Sequence, residues 1–302
     1  MLRVLFLLCV LLSSVGAQAD LKIFTCEPEW MVLAKEIGAN KIDAYSATTA
    51  FQDPHYIQAK PSLIAKVRNA NLVVCSGADL EIGWLPVLLQ KANNRNVLTG
   101  TPGFFEASSF VHRVDVSSNV DRSQGDLHAQ GNPHVQTSPH NIRQIAVALS
   151  ERMGELDAGN AAIYQQNLDN FLQRWDAAIA NWEKKAAPLR GKRMITHHKS
   201  WPYLQQWLGI EEVANLEPLP GVPPTTAHLS QLLSQFGPGS KNGSADFIVR
   251  SPYQDDRGSS WLSERTGIQS VVLPFTVGGS DAATDLFSLF DDTINTLLSV
   301  VK

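Results

Sequence analysis

A single long amphipathic segment divides the sequence and constrains the fold more than any other feature. No glycine or proline interrupts the chain between Asn160 and Ala187, and Pro188 then ends the segment. A continuous helix of about 27 residues, rising about 1.5 Å per residue, is about 40 Å long. We therefore predict a linking helix at residues 158–187 that runs the length of a two-lobed molecule, with a surface helix in one large domain as the alternative. Its apolar residues recur at helical steps of three and four: Tyr164, Leu168, Phe171, Trp175, Ile179 and Trp182.

Short β-branched runs alternate with helical patterns on both sides of this segment, which is typical of α/β units around a parallel sheet. The chain of 302 residues also exceeds the usual size of one domain. We predict an α/β fold with two lobes, each a mainly parallel sheet flanked by helices, joined by one long rigid helix. The predicted lobes span residues 20–157 and 188–302. Strands are expected at 21–25, 41–46, 71–75, 194–197, 246–250 and 269–275, and a C-terminal helix at about 283–300.

The first nineteen residues have the pattern of an export signal. Arg3 precedes an apolar run from Val4 to Leu12, and Ala17-Gln18-Ala19 then offers a cleavage site between small residues. The run is too short to span a bilayer, which takes about 20 apolar residues. We therefore predict a signal peptide at residues 1–19.

The charge of the chain argues against a nucleic-acid partner. The formal net charge is -4 at pH 7 and no long basic run occurs, whereas binding to phosphates needs clustered Lys and Arg. We expect a monomer whose partner is a small ligand or another protein.

Loss of the signal peptide would leave two cysteines, Cys26 and Cys75, each at the end of a predicted strand. If those strands are parallel neighbours, both sulfurs lie at one edge of the sheet and could form a disulfide in an oxidising compartment. Two buried free thiols are the alternative interpretation, and the sequence does not decide between the two.

Two histidines share a sequence context that places them on stiff loops ahead of helices. His55 follows Asp53-Pro54 and His134 follows Asn132-Pro133, and a second proline five or six residues later suits the first turn of a helix in each case. Loops at the carboxyl ends of strands form the ligand crevice of an open α/β sheet. We therefore predict that His55 and His134 are metal ligands from the first lobe.

A third ligand is expected from the second lobe. Residues 194–196 resemble a strand, and His197 and His198 stand at its end. Neighbouring residues on a strand point to opposite faces, so at most one of the two reaches a shared site. Three neutral imidazoles with one oxygen ligand suit Zn²⁺, and Mn²⁺ is the competitor if that oxygen belongs to a carboxylate.

These motifs resemble the zinc/manganese solute-binding proteins of bacterial ABC transporters, the metal-binding cluster A-I family, over essentially the whole mature chain. The resemblance implies two lobes joined by a rigid helix, and His198 rather than His197 as the third ligand. It also implies capture of zinc in the periplasm and delivery to an ABC transporter membrane permease for uptake, with a periplasmic metallochaperone as a second candidate partner. The landmarks occur in order: Asp53-Pro54-His55 with Lys60-Pro61-Ser62; Gly77-Ala78-Asp79-Leu80-Glu81 with Trp84; Asn132-Pro133-His134 with Pro139; His198 with Trp201 and Tyr203; and Glu217-Pro218 with Pro224.

The fourth ligand is the least determined part of the predicted site. The family usually completes its site with an acidic residue, either next to the first histidine, where this chain has Pro54, or near the last strand, where it has Pro274. Asp281, on the glycine loop just beyond, is the nearest replacement and is the predicted fourth ligand, with helix capping as its alternative role. Asp255, Asp256 and water are the other candidates.

The remaining histidines are expected to lie outside the site. His128 stands in a polar loop where the family often carries metal-collecting residues; we expect it to be exposed, with help in metal capture as the alternative. His197 is expected to be structural. No metal role is expected for His112, His140 and His228.

Two other classes of function are kept as alternatives to metal transport. A three-histidine zinc site with bound water would also serve a hydrolase or hydro-lyase, although no G-x-S-x-G, H-E-x-x-H or P-loop pattern occurs. A metal-binding adhesin on the same scaffold is the second alternative. The prediction is a protein that is not an enzyme.

Overall fold

The computed structural model describes residues 20–117, 125, 128–240 and 243–301. The predicted signal peptide at residues 1–19 lies outside the described residues. Within them the chain forms two parallel sheets, one before and one after a long helix. No helix in these ranges is both long and apolar enough to cross a membrane.

The first sheet is parallel, with the strand order β2-β1-β3-β4. The chain therefore reverses its direction of winding between β1 and β3, and the carboxyl ends of these two strands meet at the crevice where α/β sheets collect ligands. The elements are β1 (Leu21–Thr25), α1 (Pro28–Gly38), β2 (Ile42–Ser46), α2 (Pro61–Arg68), β3 (Leu72–Cys75), α3 (Leu85–Ala92), β4 (Phe104–Glu106) and α4 (Pro139–Leu156).

A long helix, α5 (Ala161–Lys185), follows the first sheet and lies within the predicted segment 158–187. Trp175 donates a hydrogen bond to the Pro139 carbonyl at the start of α4, at 2.9 Å. The same indole packs against Phe287, with ring centroids 4.8 Å apart, in the C-terminal helix. Because α5 contacts helices from both halves of the chain, its buried face belongs to one hydrophobic core that both lobes share. That face consists of the six predicted residues Tyr164, Leu168, Phe171, Trp175, Ile179 and Trp182.

The second sheet repeats the arrangement, with the parallel order β6-β5-β7-β8. Here the winding reverses between β5 and β7. Its elements are β5 (Arg193–Thr196), α6 (Pro202–Leu208), β6 (Glu211–Asn215), α7 (Thr226–Phe236), β7 (Phe247–Arg250), α8 (Arg257–Thr266), β8 (Gln269–Val272) and α9 (Leu286–Val300).

The predicted two-lobed α/β fold is confirmed, and its departures have local causes. β4 and β6 are missing from the predicted set, because β4 has three residues and β6 is a half-exposed edge strand that begins with two glutamates. β8 ends at Val272 rather than at residue 275, since Pro274 cannot continue a ladder. The lobe boundaries 20–157 and 188–302 stay predictions.

Cys26 and Cys75 form a disulfide at the carboxyl edge of the first sheet. β1 and β3 are parallel neighbours in which Thr25 stands opposite Val74, so the next residue of each strand is a cysteine at the same level. The two Cα atoms are 4.8 Å apart and both side chains are fully buried. The alternative of two free thiols is therefore wrong for this structure.

Candidate metal centre

Three of the predicted ligands meet between the lobes. His55, His134 and His198 each offer a ring nitrogen, and the three atoms lie within 4.8 Å of one another. The ring centroids are 5.6 Å apart from His55 to either partner and 5.9 Å apart from His134 to His198. All three residues are buried. The cluster joins two residues of the first lobe to one of the second.

His55 is held by a turn that begins at Asp53. The Asp53 Oδ1 atom accepts hydrogen bonds from the His55 backbone N–H at 3.0 Å and from the ring Nδ1 at 2.7 Å. Trp84 donates its indole N–H to the Pro54 carbonyl at 2.8 Å. Burial raises the pKa of Asp53, but the hydrogen bonds and charge of His55 outweigh it, so the pKa is lowered overall. An Nδ1–H directed at this carboxylate leaves the His55 Nε2 lone pair free for a metal.

His134 stands on the matching turn of the first lobe. The Asn132 side chain accepts a hydrogen bond from the His134 backbone N–H at 3.0 Å. The ring is fully buried, and neither ring nitrogen has a hydrogen-bond partner among the described residues. Burial, and then the charge of the neighbouring histidines, lowers its pKa well below the usual value. A buried imidazole with two unsatisfied nitrogens is costly, and a metal ion would supply the missing partner.

His198 follows β5, and its ring is oriented from the neighbouring strand. Thr196 stands opposite Asn215 in the β5–β6 register, so two residues further on His198 faces Glu217. The His198 Nδ1 lies 2.7 Å from Glu217 Oε2, an oxygen that also accepts the Gly221 backbone N–H at 2.8 Å. The ring is thereby fixed with Nε2 available to the cluster.

His197 lies outside the three-histidine cluster. Its Nε2 is 3.9 Å from the other oxygen of Glu217, and its Nδ1 is buried with no hydrogen-bond partner in the described part of the chain. Burial lowers the pKa of His197. The structure therefore brings His198, and not His197, to the other two histidines.

Asp53 and Glu217 both belong to the sequence motifs, but their role in orienting these rings was not predicted. Asp53 stands two residues before His55 in the same motif. The sequence does not show that the turn between them brings the two side chains into contact. Glu217 could have been found from the strand register, had β6 been predicted. Lys199, the residue directly after His198, pairs with Asp115 at 3.1 Å.

His128 was expected to be exposed, and the structure corrects that expectation. The residue is half-buried, and its Nε2 lies 3.3 Å from the Nε2 of His55. Its ring centroid is 5.4 Å from that of His55 and 6.4 Å from that of His134. Burial, followed by the charges of His55 and His198, lowers the pKa of His128 to about 3, so the ring stays neutral. A fourth imidazole therefore borders the cluster.

Asp281, the predicted fourth ligand, is not brought to the histidines. Its side chain is exposed and lies outside the cluster. Residues 276–283 form a turn closed by hydrogen bonds from Gly278 N to Ala283 O and from Gly279 N to Thr276 O, and this turn carries residue 281 towards solvent. Phe275 packs edge-on against His134 instead, with ring centroids 5.2 Å apart. Asp281 is not a helix cap either, because Asp285 caps α9.

The two alternative aspartates are exposed and also lie outside the histidine cluster. Asp255 forms an exposed ion pair with Arg257 at 2.6 Å, and that pairing lowers its pKa to about 2. Asp256 is exposed, directly precedes α8 and accepts the Ser260 backbone N–H through its carbonyl at 2.8 Å. Neither belongs to a group of metal-binding side chains in the described residues.

The arrangement suits a small tetrahedral ion. A tetrahedron with Zn–N bonds of about 2.0–2.1 Å has edges of about 3.3–3.4 Å. The 3.3 Å between the Nε2 atoms of His55 and His128 matches such an edge. The three clustered nitrogens lie within 4.8 Å of one another, which brings all three to one side of a common space that an ion could occupy.

Two parallel-sheet lobes joined by a long helix, with histidines of both lobes meeting between them, define the class of two-lobed metal-binding solute-binding proteins. The family model described as zinc-uptake complex component A periplasmic, ZnuA, matches residues 23–300. The chain belongs to this family, within the cluster A-I metal-binding proteins.

Individual relatives are distant in sequence and close in fold. The chain is 23% identical over 183 residues to the manganese ABC transporter substrate-binding lipoprotein PsaA of Streptococcus pneumoniae serotype 4, a match that covers 59% of this chain and 56% of that protein. A crystal structure of ZnuA superposes with a TM-score of 0.74 at 18% identity, covering 94% of this chain and 100% of that one. A mutant structure of the laminin-binding adhesin Lmb from Streptococcus agalactiae superposes with a TM-score of 0.74 at 17% identity and the same coverage.

Proposed function

We propose that this protein captures a divalent transition metal, zinc first, on His55, His134 and His198 and delivers it to an ABC permease. The observation that carries the proposal is His134, whose two ring nitrogens are buried between two other imidazoles and have no hydrogen-bond partner among the residues that the structure describes. A neutral, desolvated imidazole in that position gains a partner only when a cation arrives.

The nitrogen-rich cluster favours zinc over manganese. Imidazole suits zinc, whereas manganese prefers carboxylate, carbonyl and water oxygens. Asp53 and Glu217, two carboxylates that contact the cluster, each accept a hydrogen bond from a ring and are therefore committed to orienting ligands. Manganese is the alternative cargo, since PsaA is described as a manganese transporter component.

His128 is the proposed fourth ligand. It is the side chain that stands at a tetrahedral edge from His55, and burial keeps it neutral. A complete set of four imidazoles leaves no open position for a reactive water, which is what a zinc enzyme would need. Four nitrogens thus support a binding role rather than hydrolysis.

Delivery to an ABC permease in the periplasm is proposed from the family and its relatives. The family's description places it in a zinc-uptake complex, and PsaA is described as the substrate-binding part of an ABC transporter. The matched region spans only 56% of PsaA. Because the match is partial, transport has to be tested with this chain.

The test of capture is metal retention after loading and desalting, measured by mass spectrometry of the element. We expect one zinc per chain in the unaltered protein and in a His140→Ala control, because His140 is exposed and pairs with Glu183. His134→Ala should lose the ion. Zinc retained by His134→Ala, or none retained by the unaltered protein, would overturn the proposal.

The test of delivery is zinc uptake by cells that lack this chain. Unaltered protein should restore uptake and His134→Ala should not. With equimolar zinc and manganese, the purified protein should retain zinc; preferential retention of manganese would make manganese the cargo.

A further inference from the structure

A strained turn lies beside the metal centre in the first lobe. Three consecutive residues, Gly77, Ala78 and Asp79, have positive φ angles of 76°, 49° and 67°. Only glycine adopts this region without a steric cost, so a run that includes two other residues must be held by its surroundings. The turn begins two residues after Cys75, at the carboxyl edge of the first sheet.

The buried Glu81 carboxylate accepts hydrogen bonds from the backbone at the start of this turn. Its Oε1 accepts the Ser76 backbone N–H at 2.8 Å, and its Oε2 accepts the Gly77 backbone N–H at 3.2 Å. Successive backbone N–H groups directed at one anion form the concave arrangement known as a nest. Glu81 is only 3% exposed, so water cannot easily replace these bonds.

A second buried carboxyl group, Glu27, belongs to the same site. Glu27 accepts the Ser76 hydroxyl at 3.1 Å and lies beside Glu81. Burial, followed by the charges of Glu81 and Glu29, raises the pKa of Glu27 well above its usual value. Two buried neighbouring carboxyl groups cannot both ionise, and Glu27 keeps the proton. Burial also raises the pKa of Glu81, to about 7, and the hydrogen bonds from Glu27, Ser76 and Gly77 oppose the rise. Its oxygens are thereby committed to accepting hydrogen bonds from the turn.

The far end of the turn supports the segment that carries His128. The Asp79 Oδ1 atom accepts a hydrogen bond from the Gln130 side chain at 3.1 Å. The Asp79 backbone also accepts a hydrogen bond from the His128 ring. Arg113 donates to the Gln130 side-chain oxygen at 3.2 Å, which secures the same segment from its other side. The position of His128 therefore depends on where Asp79 lies.

We propose that Glu81 is a positioning residue for the metal centre, because it holds the 77–79 turn whose Asp79 places His128 against His55. The inference rests on the proposed role of His128 as fourth ligand. Glu81 itself touches no metal; it acts through the turn.

The test is a double-mutant cycle on zinc affinity, measured by competition with a chromophoric chelator. Glu81→Gln should weaken zinc binding by about tenfold, the size expected when an outer partner of a ligand is lost. In a His128→Ala background the same substitution should change affinity by less than about twofold, because the group that it positions is gone. Glu27→Gln is the matched control and should bind as the unaltered protein does, since an amide resembles the protonated carboxyl.

An equal loss from Glu81→Gln with and without His128 would show general damage to the lobe and overturn the inference. If Glu81→Gln does not fold, Gln130→Ala replaces it, because this exposed side chain touches Asp79 without supporting the core. A loss of similar size in both backgrounds would again contradict the proposal. Failure of the His128→Ala variant to weaken binding defeats this inference alone, whereas absence of zinc from the unaltered protein defeats the proposed function.

Discussion

The carboxyl edges of the two sheets differ, although the sheets have the same topology. In the first lobe the edge between β1 and β3 is filled by the Cys26–Cys75 disulfide and by buried glutamates. In the second lobe His197 and Glu217 border a cavity of about 610 Å³ that Asp53 of the first lobe also lines. A cavity of about 780 Å³ borders His55 and Asp79 on the first lobe. The edge with the disulfide belongs to the lobe that supplies His55 and His134, whereas the second lobe supplies only His198 to the three-histidine cluster. The first lobe is thus the platform for most of the ligands.

Contacts between the lobes converge on the platform next to His134. Tyr203, from α6, donates its hydroxyl to the Asn132 carbonyl at 2.7 Å, and the Asn132 side chain donates to the Lys199 carbonyl at 2.9 Å. Thr276, beyond β8, donates to Glu29 in α1 at 2.5 Å. The second lobe is therefore fastened beside the most buried histidine, and its own ligand His198 is oriented separately by Glu217.

Removal of the disulfide should have the largest effect on this difference between the lobes. Changing both Cys26 and Cys75 to serine releases a link between residues 49 apart in sequence, and we expect the free energy of unfolding to fall by about 2–5 kcal/mol. Denaturation in urea, followed with and without zinc, measures the loss. An unchanged midpoint would mean that the first lobe does not depend on its disulfide.

The Glu29 carboxyl at the lobe junction should make stability depend on pH. Burial raises the pKa of Glu29 from 4.5 to about 7, although the hydrogen bond from Thr276 opposes it. A raised folded-state pKa stabilises the protein at low pH, and this contribution is lost as pH rises from about 4.5 through 7. Glu29→Gln should remove that loss. The free energy of unfolding of the variant, relative to that of the unaltered protein, should therefore rise by on the order of 3 kcal/mol between pH 4.5 and 8. Parallel stability curves for the two proteins would contradict the assignment.

The carboxylates that orient the rings should contribute alike in the two lobes. Asp53→Asn and Glu217→Gln should each weaken zinc binding about 10–100-fold, since each removes the partner that fixes a ligand ring. Asp281→Asn is the control and should change affinity by less than about twofold, because its side chain is exposed and away from the cluster. Titration calorimetry with a competing chelator measures all three. A marked loss in Asp281→Asn would restore that residue to the site.

Local sequence signals predicted the parts of the molecule that local interactions determine. The His55 and His134 turns are built from an Asx side chain two residues before each histidine, so their conformation was readable from neighbouring residues. The apolar spacing of α5 was readable for the same reason. The strands that were missed are too short or too polar to show a period.

The fourth position depended on contacts between distant segments. Asp281 follows the right strand in sequence, but the glycine turn before it carries the side chain to solvent. His128 stands in a polar segment without any period, and its place beside His55 depends on Asp79 and Gln130. Such placements follow from the tertiary path of the chain and leave no periodic signal in the sequence.

The most direct test of the central claim is X-ray absorption at the zinc edge of the loaded protein. Imidazoles from both lobes predict a first shell of four nitrogens at about 2.0–2.1 Å with the outer-shell scattering of histidine rings. His128→Ala should reduce the histidine count by one and leave His55, His134 and His198 bound. A first shell dominated by carboxylate or water oxygens, or one that is unchanged in His134→Ala, would contradict the account.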